Sequence, residues 1–298
     1  MKANEYLEKV LESQNLDDDS AELKQLQDER AAVEKLLRKE FGSSPTIRYG
    51  GSRAKGTLIL EAYDLDIISY FPRDDADAGG TLEDIYNNVR NALQKQYAVE
   101  AKASALRVRS KDPAKYGTDL RIDVVPGRFT DDSKGDAFLY RASGEKRRLK
   151  TNLDVHIKHV KDSGVIDAIR LMKLWRVRNA LTIRHFALEL LTIELLKGRN
   201  THSLEKQLQH IWEELRDNVQ DVSIEDPANP QGNDLSELLD DSIRAEISSL
   251  AGKTMKLIEE RGWEAVFGEL AGASREIKVE SLRRMAAGVQ TPSKPWCA

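Results

Sequence analysis

The chain has 298 residues, 40% hydrophobic and 32% charged, with a formal net charge of −4, enough for one large domain or two modest ones sharing a cleft. The weak negative balance argues against a general nucleic-acid coat, and no apolar run approaches the roughly 20 residues that span a bilayer. No signal-like apolar segment follows Met1-Lys2-Ala3-Asn4-Glu5, and the single cysteine, Cys297, excludes a disulfide framework or Cys-rich zinc site, so a cytoplasmic protein is expected.

Residues 4–41 read as helix. Tyr6, Val10 and Leu11 open an apolar stripe, Leu16-Asp17-Asp18-Asp19-Ser20 interrupts it, and Leu23, Leu26, Val33, Leu36 and Leu37 continue it. Nothing nearby in sequence can cover that stripe, so it is expected to pack on later parts of the fold. Gly42-Ser43-Ser44-Pro45 ends the helix. Thr46–Tyr49 is a short strand, and Ser52 is a candidate cap for a helical turn reaching about Leu58. Leu65–Phe71 is strongly β-prone and stops at Pro72. Thr81–Tyr97 is an amphipathic helix with Thr81 as cap and Leu82, Ile85, Val89 and Leu93 on one face. Val99–Arg109 and Asp119–Val125 are read as strands, and Ala137–Tyr140 as a short edge strand.

From Thr151 onward strand signals vanish. Six stretches read as helix: 152–161, 165–179, 185–197, 203–219, 235–261 and 263–270. The clearest loop of this half is Glu225-Asp226-Pro227-Ala228-Asn229-Pro230-Gln231-Gly232, and the tail after Met285 is expected to be irregular. The predicted class is α+β. A mixed-sheet core with its N-terminal helix occupies residues 1–150, an all-helical domain residues 151–285 and a tail residues 286–298, with the active site in the cleft between the two halves.

Asp64 and Asp66 lie two apart at a strand entrance, so their side chains leave the same face. Alone, that pattern reads more readily as a pair of solvated acids. Two neighbours change the balance. Gly50-Gly51-Ser52 offers open backbone amides and a hydroxyl just before the carboxylates, the equipment for cradling a phosphate. In Arg121-Ile122-Asp123-Val124-Val125-Pro126, a lone carboxylate interrupts an otherwise apolar strand and needs a partner. If the two strands pair, three carboxylates can hold two divalent cations about 3.5–4 Å apart, the spacing for in-line phosphoryl displacement, with magnesium favoured by oxygen ligands. One ion would hold a triphosphate with Asp64 and Asp66. The other, also touching Asp123, would activate the attacking hydroxyl, with Asp123 assisting as base. The basic run Arg141–Lys161 is either a solvated face or a seat for a small polyanion such as a triphosphate.

Gly51-Ser52, Asp64-x-Asp66 and Asp123 together resemble the signature of the DNA-polymerase-β-like nucleotidyltransferases. Ile169–Trp175, Phe186–Leu191 and Glu225–Pro230 are similar to the helical core shared by oligoadenylate synthases, archaeal-type CCA-adding enzymes and cGAS/DncV-like enzymes. The resemblance extends from about Thr46 to Gly262. It implies that Lys173 reaches the donor triphosphate from the helical half, whereas by itself a lysine on an apolar helix is usually snorkelling. His185 falls where many relatives carry a phosphate-contacting serine, and a core or surface histidine is an equal reading. Tyr140 and Thr151 match the crossover near which relatives bind the base, although Tyr140 is as readily an ordinary packed tyrosine.

Among bacterial cGAS/DncV-like enzymes, the resemblance implies a magnesium-dependent synthase that joins nucleoside triphosphates, ATP expected among them, into a cyclic di- or trinucleotide messenger for antiphage signalling. Neither a membrane nor a stable nucleic-acid partner is expected. The runner-up is transfer onto RNA, a protein or a small molecule, and a third reading is a silent nucleotide-binding relative. Some relatives are conjugated through the C-terminus by an accessory enzyme. Lys294-Pro295-Trp296-Cys297-Ala298 is compatible with that, with an untethered tail the favoured reading.

Overall fold

The computed structural model describes residues 1–16, 21–111, 122–142 and 146–270. The expected N-terminal helix is two helices, α1 (Ala3–Ser13) and α2 (Ala21–Phe41), on either side of the Asp-rich interruption. Five strands follow the path β1 (Thr46–Tyr49), β2 (Leu65–Phe71), β5 (Ile122–Phe129), β4 (Leu106–Ser110) and β3 (Tyr97–Ala101); β6 (Ala137–Tyr140) joins β5, and β7 (Arg148–Thr151) joins β6. The sheet is mixed, since β2 and β5 run parallel while the other pairs are antiparallel.

Three strand assignments differ from the sequence reading. Val99–Arg109 is a hairpin, because residues 102–105 turn the chain and Lys102 N–H donates to Ala105 O at 2.9 Å. Strand β5 continues through Pro126 to Phe129. Pro126 falls between Val124, where β4 stops pairing, and Gly127, where β6 begins, so no outer neighbour needs its missing N–H. The strand β7 was not foreseen, and it makes β6 an inner strand.

Helix α3 (Gly51–Lys55) follows β1, and α4 (Leu82–Gln94) crosses from β2 to β3. The α4 N-terminus is fixed by a reciprocal capping box between Thr81 and Asp84, and Ile85, Val89 and Leu93 are buried. Beyond β7 come α5 (Leu153–Lys161), α6 (Ile166–Arg178), α7 (His185–Leu195), α8 (Leu204–Asp217), α9 (Asp241–Arg261) and the short α10 (Glu264–Phe267). The predicted helix at 235–261 is split. Ser236–Leu239 is a 3-10 turn, and Asp240 caps α9 by accepting from Ile243 N–H at 2.9 Å.

Alternation along the strands sorts the core. Leu65, Ile67, Ile122 and Val124 pack with α2 and α4 on one sheet face. Ile68, Tyr70, Phe129, Leu139 and Leu153 gather on the other. A third cluster fills the helical half around Trp175 and Trp212 and takes in Tyr6, Leu7, Val10 and Leu11. The apolar stripe of α1 is therefore covered by the helical half. The loop at 225–233 is tied down by Asp226, 2% exposed, which accepts from Asn233 Nδ2 at 2.6 Å and Ala228 N–H at 2.9 Å. The Asn233 amide also donates to Lys150 O at 2.7 Å, joining this loop to β7. The tail after Met285, including Lys294–Ala298, lies outside the described residues.

Candidate active site

Parallel pairing of β2 and β5 puts Asp66 in register with Asp123, and Asp64 stands just before β2. Because Leu65, Ile67, Ile122 and Val124 face α2 and α4, Asp66 and Asp123 leave the sheet on the opposite face, the side of α3 and α5. Carboxylates drawn together at a half-buried site repel one another. Burial, then the charges of Asp64 and Asp123, push the Asp66 carboxyl up to about 7. Asp64 is raised by burial and by Asp123, with Lys173, Arg107 and Lys102 opposing.

Asp123 differs from its neighbours. Burial alone would raise it, but Arg107 donates from Nε and Nη2 at 2.8 and 2.9 Å and Lys102 Nζ at 2.8 Å, and together they hold it below the usual carboxyl range. Both cations come from the β3–β4 hairpin, and Arg107 Nη2 also stands 3.8 Å from Asp64. A base needs a pKa near the working pH. The two donors therefore disfavour Asp123 in the role of base.

The glycine turn is built against this cluster. Gly50 N–H donates to Asp66 O at 3.1 Å, and Gly51 has φ +67°. A Cβ on Gly51 would lie 1.6 Å from Asp66 Oδ2, so only glycine lets this carboxylate meet the turn. Ser52 lies inside α3, whose N-cap is Gly50, so it does not cap the helix as expected from sequence. Its hydroxyl is buried with no hydrogen-bond partner among the described residues, an orphan that a phosphate oxygen would satisfy.

Directly behind α3 lies a second charged cluster, which the sequence reading missed except for Lys173. Glu189, 3% exposed, accepts from Lys55 Nζ at 2.8 Å and Thr57 Oγ1 at 2.7 Å. Lys173, 2% exposed, donates to Thr57 O at 2.9 Å and stands 3.5 Å from Glu189 Oε1. Burial lowers the Lys173 ammonium, against the attraction of Glu189 and Asp64. Lys173 thus reaches toward the glycine turn from the helical half but spends its donors inside the protein. The signal for Glu189 was available in sequence, as a lone carboxylate within the apolar run Phe186–Leu191.

The remaining candidates are more scattered. His185 opens α7, with Nε2 3.2 Å from Arg176 Nη1. Thr151 is buried at the end of β7, paired with Ala137 and followed by Asn152, which caps α5. Tyr140 packs on Tyr86 of α4 at 5.3 Å and donates to Glu83 Oε1 at 2.6 Å, on the face of the sheet away from the carboxylates. The structure brings together Asp64, Asp66, Asp123, Gly51 and Ser52, places Lys173 one layer behind, and does not bring Tyr140 to them.

Among the described residues, no three acidic, histidine or cysteine side chains already form a metal cage. The donor set still suits a hard divalent cation, because Asp64 and Asp66 supply hard oxygens and no organic cation pairs with Asp66 among the described residues. Those two carboxylates would hold it, joined by Asp123 on release from Arg107 and Lys102.

No protein-family model and no curated protein matches the sequence. Solved structures share the fold. Escherichia coli MS115-1 CdnC, in complex with HORMA-deltaN, is 20% identical with a TM-score of 0.64, over 92% of this chain and 99% of that one. The Bradyrhizobium diazoefficiens CD-NTase CdnG, in complex with GTP, is 13% identical with a TM-score of 0.65, over 95% and 99%. Vibrio cholerae DncV, a cyclic AMP-GMP synthase in complex with nonhydrolyzable GTP, is 17% identical with a TM-score of 0.58, over 96% and 84%.

Proposed function

We propose that this chain, with the fold of the bacterial CD-NTases, is a magnesium-dependent nucleotidyltransferase. It joins nucleoside triphosphates into a cyclic di- or trinucleotide second messenger, releases pyrophosphate, and serves antiphage signalling. The observation that carries the reading is the fit of Gly51 against the Asp66 carboxylate, with the orphaned Ser52 hydroxyl beside it and Asp123 in register across the β2–β5 pair. A phosphate cradle and a cluster of under-neutralised carboxylates are thereby fused into one site.

On this reading the site residues take the following roles. The Gly50-Gly51 turn and the Ser52 hydroxyl bind the triphosphate. Asp64 and Asp66 would hold the divalent ions, which would supply neutralisation of phosphate charge and a lower pKa for the attacking hydroxyl. Lys55 and Lys173 carry two positive charges against the single charge of Glu189, leaving one in excess behind the cradle. That excess favours an anion at α3 without a solvent-exposed lysine. Arg107 and Lys102 orient Asp123 and limit its repulsion with Asp64 and Asp66. Catalysis of this kind is positioning and charge neutralisation.

Incubating the pure protein with all four nucleoside triphosphates and magnesium, followed by phosphatase, tests the reading. Phosphatase-resistant oligonucleotide is the expected result, and Asp66→Ala should abolish it. Product that forms only with added RNA, protein or small-molecule acceptor would replace synthase by transferase. The hold of Arg107 and Lys102 on Asp123 favours one other reading, a silent nucleotide-binding relative. Triphosphate binding without turnover under every condition would select it.

A further inference from the structure

The sheet face away from the carboxylates carries a concave site of its own. A cavity of about 920 Å³ lies between the N-terminus of α4, the outward side of β6 and β7, and the loop at 229–233. Register explains its lining. Tyr140 pairs with Arg148 and Phe138 with Lys150, and paired residues project from the same face, so two cations stand opposite two rings. Lys146 and Arg147 join them, so that among the described residues four basic side chains face Glu83 in the lining, with Asp136 beside Lys150 as a second acid.

Most of these groups are anchored. Lys150 Nζ is 2.7 Å from Asp136, Lys146 Nζ donates to Gly232 O at 3.0 Å, and Arg147 Nη2 donates to the Tyr140 hydroxyl at 2.7 Å. The Glu83 carboxylate is taken by that same hydroxyl, 3.8 Å from Arg147. Arg148 is exposed, its guanidinium 4.9 Å from the centre of the Phe138 ring, and no carboxylate pairs with it among the described residues. The far wall is held to β7 through Asn233, so the cavity is formed before anything enters it.

We propose that this cavity binds a small oligophosphate, such as the phosphate chain of a nucleotide, at a site separate from the carboxylate cluster. Its excess of positive charge calls for more than one anionic group, and guanidinium and ammonium donors suit phosphate oxygens. The rings are already covered, Tyr140 by Tyr86 and Phe138 by Arg148, so recognition falls on the phosphates. A pocket of this size, though open to solvent, fits a small molecule better than a duplex.

Hydrogen–deuterium exchange of the full chain with inorganic tripolyphosphate tests the site. Protection of residues 138–142, 146–151 and 229–233 is expected, and Arg148→Glu should weaken it by about tenfold in concentration. Arg148 is exposed, so an unchanged unfolding midpoint is expected, and Arg148→Gln serves if the glutamate variant folds poorly. Protection confined to residues 51–57, or unaltered by the substitution, would overturn the site. The signal at 51–57 reports the phosphate cradle separately, so failure of one site is distinguishable from failure of the other. Stronger protection by ATP than by tripolyphosphate would assign the occupant to nucleotides, and equal protection to the phosphate chain alone. Protection seen only with an RNA duplex would overturn the proposal in favour of a nucleic-acid surface.

Discussion

Two charged clusters flank the segment from Gly51 to Thr57, and they resolve burial in opposite ways. Behind it, Glu189 is closed in by Lys55, Lys173 and Thr57, with every partner supplied by the chain. In front of it, Asp66 has its carboxylate against a glycine and two more carboxylates as neighbours. The first arrangement serves the fold, since it ties α3 to α6 and α7. The second costs stability, which a protein tolerates where an external ligand completes the site. Whether the chain itself supplies partners for a buried carboxylate thus separates the bridge from the centre.

Breaking the contrast at its strained side should give the largest effect. Asp66→Asn should lower product formation by about 10²–10³-fold or more, measured as phosphatase-resistant product, while raising stability in the absence of metal. The sign follows from linkage. The folded carboxyl sits near 7, above its ordinary 3.8, so between those values the native state binds more protons than the unfolded chain. Stability contributed by this group falls as pH rises through that window. Urea unfolding at pH 5 and pH 8 should show the decline in the wild type and a smaller one in Asp66→Asn; an equal decline in both would refute the strain.

On the closed side, Glu189→Gln strands two ammonium groups and should cost about 3–5 kcal/mol. Glu189 is held below its usual range because Lys55 and Lys173 overcome the effect of burial. Its contribution is present above the ordinary carboxyl pKa and lost as pH falls through the lower folded value, opposite in sign to Asp66. Replacing Lys55, Lys173 and Glu189 together by Met, Met and Leu should recover much of the stability and none of the turnover. Chemical denaturation and product assay on the same samples check both.

Gly51→Ala should cost about 1–3 kcal/mol and reduce turnover, because the new methyl meets Asp66 Oδ2 and the backbone is left-handed. Asn152→Ala, away from both clusters, removes the side-chain cap accepting from Asp154 and Val155 N–H. It should cost about 1 kcal/mol and leave product formation unchanged. A larger loss of turnover from Asn152→Ala than from Gly51→Ala would dissolve the distinction between scaffold and site.

The sequence by itself determined what local pattern can encode. The spans of β1 and β2, the capped start of α4 and the change from mixed to all-helical structure near Thr151 follow from alternation, helical periodicity and turn residues. The candidates Gly51, Ser52, Asp64, Asp66 and Asp123 were legible because polar groups interrupt patterns that are otherwise apolar or structural. Only the tertiary structure decided what each of them faces. Register across β2 and β5 set Asp66 opposite Asp123, the unforeseen hairpin turned Lys102 and Arg107 onto Asp123, and the sheet itself separated Tyr140 from the carboxylates. Charge neutralisation and burial depend on distances between residues far apart in the chain, Lys55 and Glu189 being 134 positions apart. Local periodicity carries no record of such distances, which is why the sequence showed Glu189 and Lys173 as lone polar residues on apolar helices but not their pairing with Lys55.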